Sequence, residues 1–171
     1  ARGLAISVTV PGGEPTRTSA GDPVDSSSYT VYAWSEIIGS IDRLRIMTYD
    51  YSWTDPGPIG PASWIDRVAS AAVDQVGAGN AWKVWLGVAA YGYDWRIGTT
   101  CSSPTTSRRP TRYPSQAWAI YNAAKASNRL VPLAGQTTAS YAWVPSAAEY
   151  TFRYREPDTS GGKACWNTRE A

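Results

Sequence analysis

The sequence contains no histidine. That absence excludes a Ser-His-Asp or Cys-His nucleophile system within the chain. With only two cysteines it also argues against a zinc site, so neither a metal nor a cofactor is expected. Any chemistry here falls to carboxylates and tyrosines. No apolar run approaches the roughly twenty residues that a membrane-spanning helix needs, and no membrane partner is expected. Charge of one sign is lacking too, with 16 Lys and Arg against 14 Asp and Glu. The one basic cluster, Arg108, Arg109 and Arg112, lies in a Pro/Ser/Thr-rich loop. Nucleic-acid binding wants a basic face, so that class of partner is set aside as well.

Phenylalanine is reduced to one residue beside nine Trp and eleven Tyr. The aromatic surplus is therefore amphipathic: a ring can lie on a ligand while its N–H or O–H finds a polar partner. At 171 residues the chain fits one domain, or a domain carrying a small inserted subdomain. It falls short of the ~250 residues typical of a whole eightfold α/β barrel. Cys101 and Cys165 are the only cysteines. Paired, they would add about 4 kcal/mol in the loop-entropy model; a pair in an exported protein is favoured over two independent buried thiols. The sequence opens without Met and already inside the strand-like "ARGLAISVTVP", so an upstream portion is expected beyond it.

Leu4 to Val10 is a continuous β-rich run closed by Pro11, Gly12 and Gly13, which predicts a strand buried on both faces. A polar loop from Gly21 to Ser28 ends in residues able to cap a helix, and Val31, Trp34 and Ile38 follow at helical spacing. "RLRIM", Arg43 to Met47, predicts a second buried strand. After a rigid Pro/Gly loop, Ser63 is the expected N-cap of a helix with Trp64, Val68, Ala71, Ala72 and Val76 on one face, ended by Gly77 and Gly79. Val84 to Val88 predicts a third buried strand. Alternation of strand and helix reads as βαβ units of a parallel sheet. From Gly98 the composition changes. A loop from Thr99 to Pro114, a helix over Ser115 to Ala126, and alternating stretches at "TASYAWV", "EYTFRYRE" and "KACWN" predict an α+β piece with an antiparallel sheet.

Ligands of parallel α/β sheets meet the carboxyl ends of the strands, where loops converge. Here two consecutive strands run into Tyr, Asp and Trp: Tyr49-Asp50-Tyr51-Ser52-Trp53 and Tyr91-Gly92-Tyr93-Asp94-Trp95. Hydroxyls, a carboxylate and flat rings suit a sugar, with rings on its apolar faces and polar groups on its hydroxyls. The alternative is that the rings close the core while Asp50 and Asp94 cap the segments that follow.

"MTYDY", preceded by "SIDRLRI" and followed by "PGPIGPASWIDRVASAA", resembles the sixth-strand region of family 18 glycoside hydrolases, the chitinase-like barrels. "KVWLGVAAYGYDW" resembles their seventh strand and "LAISVTVPGG" their fifth. The combination is similar to the bacterial branch associated with spore cortex and peptidoglycan. The resemblance implies an α/β fold: residues 1–97 as strands five to seven of a partial (β/α)8 TIM barrel, and residues 98–171 as an inserted α+β subdomain. It also implies substrate-assisted retaining hydrolysis beside an N-acetylglucosamine unit, in which a Glu protonates the leaving oxygen and the substrate's acetamido group attacks the anomeric carbon.

Carried over residue by residue, Tyr49 would hydrogen-bond the acetamido oxygen, Asp50 would help hold that group, Met47 would pack at the pocket floor and Tyr91 would line the sugar pocket. Trp53, Trp95, Tyr150 and Arg153 would serve more distant sugars. The implied partner is an N-acetylglucosamine-containing polysaccharide, chitin or peptidoglycan, met outside the cell or at its wall. The family's acid follows an Asp-x-x-Asp-x-Asp-x-Glu pattern that this sequence lacks; its glutamates are Glu14, Glu36, Glu149, Glu156 and Glu170. The acid is therefore expected on a missing N-terminal half or a partner chain, and this chain alone is expected to be inactive. The alternative is a catalytically silent, lectin-like glycan-binding module.

Overall fold

The computed structural model describes residues 3–13, 33–105, 108–158 and 164–171. The predicted capping loop at 21–28 and Val31 lie outside them. The chain divides into two compact units, Ala1–Asp50 with Gly60–Val88, and Tyr51–Ile59 with Ala89–Ala171.

The first unit is built on three parallel strands in spatial order β1 (Ser7–Pro11), β2 (Arg43–Met47) and β3 (Val84–Leu86). A short helix α1 (Trp34–Ile37), continued as a 3-10 turn over Ile38–Ser40, precedes β2, and α2 (Ala62–Val76) joins β2 to β3. Strand, helix and adjacent parallel strand form the predicted βαβ unit. The apolar stripe of α2, Trp64, Val68, Ala72 and Val76, packs with Val10, Leu44, Ile46, Trp34, Ile38 and Ile41 in one core. Ala71, on the edge of that stripe, is half-buried.

Two expectations need correction here. Pro61 occupies the position before α2 and Ser63 lies inside the first turn, so Ser63 is not the N-cap. Proline suits a helix start because the first-turn N–H groups have no intrahelical acceptor. Nor are the strands buried on both faces. Leu44 and Ile46 are buried while Arg43 and Arg45 are exposed, and Trp85 and Leu86 of β3 are exposed as well. The sheet buries one face under α2, and the arginines occupy the other; Arg43 lays its guanidinium over Trp85 at 4.6 Å. Gly77 ends α2 with φ 78°, where a side chain would be strained.

The second unit is antiparallel. Its main sheet runs in the order β5 (Trp95–Thr99), β11 (Cys165–Glu170), β10 (Arg153–Asp158) and β7 (Leu130–Val131). Two ribbons accompany it, β4 (Gly92–Tyr93) with β6 (Thr111–Arg112), and β8 (Ala142–Val144) with β9 (Glu149–Thr151). The predicted helix is present as α3 (Pro114–Ala126), with proline at its first position and the Gln116 side chain accepting the Tyr113 N–H at 3.0 Å. Its buried face supplies Ala124 to a small core with Phe152 and Tyr154. Cys101 and Cys165 form a disulfide, Cα to Cα 5.1 Å, that ties the segment after β5 to the start of β11. No described helix is long and apolar enough to cross a membrane.

Candidate functional site

In the first unit, β2 delivers Met47, Thr48, Tyr49 and Asp50 to the carboxyl end of the parallel sheet, with β1 and β3 on either side. Three glycines from three separate loops close on these residues. A Cβ on Gly12 would lie 2.5 Å from the Met47 carbonyl oxygen, one on Gly60 2.8 Å from the Thr48 carbonyl oxygen, and one on Gly87 2.9 Å from the Tyr49 ring. Real Cβ atoms do not come that close, so each position admits only glycine unless something shifts. Hydrogen bonds add to the enclosure. The Gly12 N–H donates to the Met47 carbonyl at 3.0 Å and the Gly87 N–H to the Ile46 carbonyl at 2.8 Å. The Thr48 hydroxyl, 1 % exposed, donates to the Gly87 carbonyl at 2.6 Å.

Beyond this collar the chain turns sharply. Asp50 has φ 61°, a left-handed conformation. Such a backbone costs on the order of 1–3 kcal/mol for a non-glycine residue and persists only where its surroundings hold it. Met47, Tyr49 and Asp50 are all half-buried. The strand end is thus a rigid mount carrying a phenol and a carboxylate on consecutive residues. The sequence reading named Met47, Tyr49 and Asp50 and missed Thr48 and the glycines. Gly12 and Gly60 were visible only as loop residues and Gly87 only as part of the predicted strand Val84 to Val88, because nothing in a linear sequence shows three loops meeting one strand.

In the second unit, Trp53, Tyr91 and Trp95 are brought together by a residue that sequence reasoning did not single out. Tyr93 contacts all three edge-on, at ring-centroid distances of 5.9, 5.6 and 5.6 Å respectively. Arg109 completes the group, its guanidinium lying 3.9 Å from the Trp53 ring centre and 4.1 Å from that of Tyr93. Trp53 keeps 56 % of its surface exposed, whereas Trp95 is 5 % exposed and stands behind Tyr93. The loop that carries Trp53 is pinned at its base: the Tyr51 N–H donates to the Ile59 carbonyl at 2.8 Å, and the Ile59 N–H donates to a Glu149 carboxylate oxygen at 2.9 Å. Arg153 forms a double contact with Glu170, its Nε donating at 3.0 Å. Tyr150 belongs to another aromatic group, stacked on Tyr141 at 4.8 Å and tilted against Trp143 at 4.9 Å.

The repeated Tyr/Asp/Trp ending does not have the same environment twice. Asp94 is fully buried. Its carboxylate accepts hydrogen bonds from Arg169 Nε at 2.7 Å, Arg112 Nε at 3.0 Å and the Tyr154 hydroxyl at 2.9 Å. This environment keeps Asp94 away from any sugar, and it does not cap a following segment either. Burial first, and the Asp94 charge second, push the Tyr154 hydroxyl well above a free tyrosine's value.

Among the described residues, Cys101, Asp158 and Cys165 place ligand-type atoms within 4.8 Å of one another. Both sulfurs are joined in the disulfide, and Asp158 accepts from the Thr105 N–H, the Thr105 hydroxyl and the Asn167 amide at 2.9, 2.8 and 3.2 Å. That cluster is structural.

Over 81 residues the chain is 35 % identical to the uncharacterized glycosylase YvbX of Bacillus subtilis (strain 168), a match that covers 46 % of this chain and 22 % of that protein. Among solved structures, it superposes on ydhD of Bacillus subtilis, provisionally described as a sporulation-specific glycosylase, with a TM-score of 0.65 at 20 % identity, covering 97 % of this chain and 46 % of the other. A chitinase from Chromobacterium violaceum ATCC 12472 gives 0.63 at 20 % identity, with 98 % and 43 % covered. What these structures share with the chain at such identity is the fold, and the chain spans less than half the length of each. The sequence pattern of the glycosyl hydrolases family 18 matches residues 1–169. The chain belongs to family 18 of the glycosyl hydrolases.

Proposed function

We propose that the protein of which this chain is part hydrolyses N-acetylglucosamine-containing glycans, chitin or peptidoglycan, by substrate-assisted retaining hydrolysis. The observation that carries this reading is the glycine-collared strand end that mounts Tyr49 and Asp50 side by side. Tyr49 donates its phenolic hydrogen bond to the acetamido oxygen and orients it for attack on the anomeric carbon, a positioning effect. Asp50 helps hold the acetamido group, Met47 packs beneath the sugar, and Tyr91 lines its pocket. Trp53 supplies an exposed ring for a more distant sugar, backed by Arg109 and Tyr93; Trp95 supports it from the core, and Tyr150 and Arg153 complete the expected contacts.

In this reading residues 1–97 are strands five to seven of a TIM barrel and residues 98–171 an inserted α+β subdomain. The general acid is a Glu outside this chain. Transition-state protonation needs a carboxylic acid beside the glycosidic oxygen, and no glutamate here follows the family's pattern. The disulfide suits an exported or wall-associated protein. A bacterial chitinase and the spore cortex-lytic enzyme SleL of Bacillus megaterium QM B1551 share the fold, which supports a glycan substrate.

The test is hydrolysis of N-acetylglucosamine oligomers and of peptidoglycan by the full-length protein, with the anomeric form of the first product read by NMR. A retained anomer from acetamido sugars, and no cleavage of the corresponding glucose oligomers, is the expected result. An inverted product rules out the mechanism. The alternative, a silent lectin-like module, predicts glycan binding by the full-length protein without turnover; a Glu at the acid position of the strand-four motif favours the enzyme, and Gln or Leu in its place favours the lectin.

A further inference from the structure

Among the described residues, three non-glycine positions have a left-handed backbone: Asp50 at φ 61°, Asn128 at 51° and Ala148 at 58°. Asn and Asp tolerate that region because a short polar side chain can bond locally, whereas alanine has no such group. Ala148 keeps this conformation at the close of the turn between β8 and β9. There its N–H and that of Ala147 both donate to the Val144 carbonyl, at 2.9 and 3.1 Å, and Ala147 is buried. Strain of this kind persists where the surroundings over-determine it, which directs attention to the residue it sets in place. That residue is Glu149, which enters β9 opposite Val144 and whose carboxylate accepts the Ile59 N–H at 2.9 Å.

Ile59 ends a loop that is stiff in itself. The Tyr51 N–H donates to the Ile59 carbonyl at 2.8 Å and the Ser52 N–H to the Pro58 carbonyl at 3.1 Å. A Cβ on Gly57 would collide with the Ser52 side chain, and Pro56 and Pro58 fix their own φ. A loop so braced moves as one piece about its two ends. One end is the peptide between Asp50 and Tyr51, where the chain leaves the left-handed Asp50; the other is the peptide between Ile59 and Gly60, the glycine that closes on the Thr48 carbonyl. The Ile59 N–H sits at that second end, and its acceptor is 90 residues away in sequence. A carboxylate that accepts a backbone N–H makes a shorter and stronger bond than a neutral acceptor does. Ile59 is buried, so water competes little for the donor.

We propose that Glu149 is a positioning residue for the strand-end site. By holding the Ile59 N–H it fixes the base of the 51–59 loop, and the loop, through its first peptide, keeps the backbone of Asp50 in its left-handed turn. Glu149 touches no substrate and transfers no proton. The role rests on the hydrolysis reading above and adds to it a residue outside the strand-end pattern.

The experiment compares Glu149→Ala and Glu149→Gln in the full-length protein, each alone and combined with Asp50→Asn, a change that the left-handed region tolerates. Amide hydrogen exchange reads the contact, and turnover of N-acetylglucosamine oligomers reads the role. In Glu149→Ala the Ile59 and Tyr51 amides should lose protection. Its kcat per folded molecule should fall about tenfold or more, and by more than KM rises, because small displacements of a positioning group are costly in rate. Glu149→Gln, whose amide oxygen can still accept the Ile59 N–H, should keep most of the rate and of the protection. In the Asp50→Asn background, Glu149→Ala should cost little further, the non-additivity expected of groups that act together. Where Glu149→Ala does not fold, Glu149→Asp, which keeps the charge and withdraws the carboxylate by one methylene, carries the same comparison.

Wild-type kcat in Glu149→Ala, with the Ile59 amide exposed to exchange, would show that the contact serves only the fold and would overturn the role. Equal losses in both Asp50 backgrounds would do the same. Glu149→Gln as impaired as Glu149→Ala also overturns it, since the carboxylate would then be needed for more than accepting that N–H. A wild-type protein without turnover fails the hydrolysis reading itself, and this role with it, whatever the exchange result.

Discussion

Arg169 holds Asp94 at two points, donating from Nε to the carboxylate at 2.7 Å and from a terminal guanidinium nitrogen to the Asp94 carbonyl at 2.5 Å, with both side chains at most 1 % exposed. The pair joins the start of β5 to the far end of β11, and Arg112 and Tyr154 supply further donors to the same carboxylate. A buried pair of this kind is costly to break because the surviving partner is left as an uncompensated charge. Asp94→Ala and Arg169→Ala should each destabilise by about 3–5 kcal/mol. Chemical denaturation of the single variants and of the double variant checks this: the double variant should be clearly less impaired than the sum of the two.

The Tyr154 hydroxyl adds a pH dependence. Its pKa is raised in the folded protein over a free tyrosine's 10.0, by burial and by the Asp94 charge. The folded state therefore favours the neutral phenol. Its contribution is fully present below pH 10 and is lost as pH rises through that value toward the folded pKa. Denaturation midpoints followed across pH 9 to 11 should fall more steeply for the wild type than for Tyr154→Phe. Tyr154→Phe should itself be less stable by about 1 kcal/mol at neutral pH, because one donor to a buried carboxylate is gone.

Gly87→Ala tests the collar around Tyr49. The added methyl meets the Tyr49 ring and the Ile46 carbonyl, so either the ring or the end of β3 must move. Overpacking of this kind costs about 1–3 kcal/mol. In the full-length protein the substitution should lower kcat far more than it raises KM when Tyr49 is present, and should add little when Tyr49 is already Ala. Equal losses in both backgrounds would mean that Gly87 serves only the fold.

Removal of the disulfide by Cys101→Ser with Cys165→Ser should destabilise the second unit by about 2–5 kcal/mol. The loss should be seen in the protection of β5 and β11 amides against hydrogen exchange, since the bridge ties the segment after β5 to the first residue of β11. Amides of β2 should be unaffected.

Much of this architecture could be read from local signals. The strand at Arg43 to Met47, the amphipathic stripe of α2, the helix at Pro114 to Ala126 and the antiparallel strands after it follow from periodicity and turn residues. Two kinds of information were not legible. One is where a chain folds back on itself: Asp94 and Asp50 stand in near-identical Tyr/Asp/Trp contexts, yet one lies in a closed cage of two arginines and a tyrosine while the other ends a parallel strand. The donors to Asp94 lie 18, 60 and 75 residues away in sequence, beyond any local pattern. The other is one-sided burial. Val84 to Val88 reads as a buried apolar run, but Trp85, Leu86 and Val88 are exposed, because burial depends on what covers the sheet and not on the strand itself. The collar glycines and Arg109 were missed for the first reason, whereas Tyr49 and Asp50 were singled out by the strand-end pattern and by the resemblance that the Met-x-Tyr-Asp motif carries.

The most direct test of the central claim is the turnover of acetamido-sugar oligomers by the full-length protein with Tyr49 replaced by Phe, a change that removes one hydroxyl and leaves the ring seated against Gly87. The account predicts a fall in kcat of about a hundredfold or more, as loss of a positioned donor to reacting atoms typically brings, with KM and the thermal midpoint close to wild type. Turnover within a fewfold of wild type would contradict it.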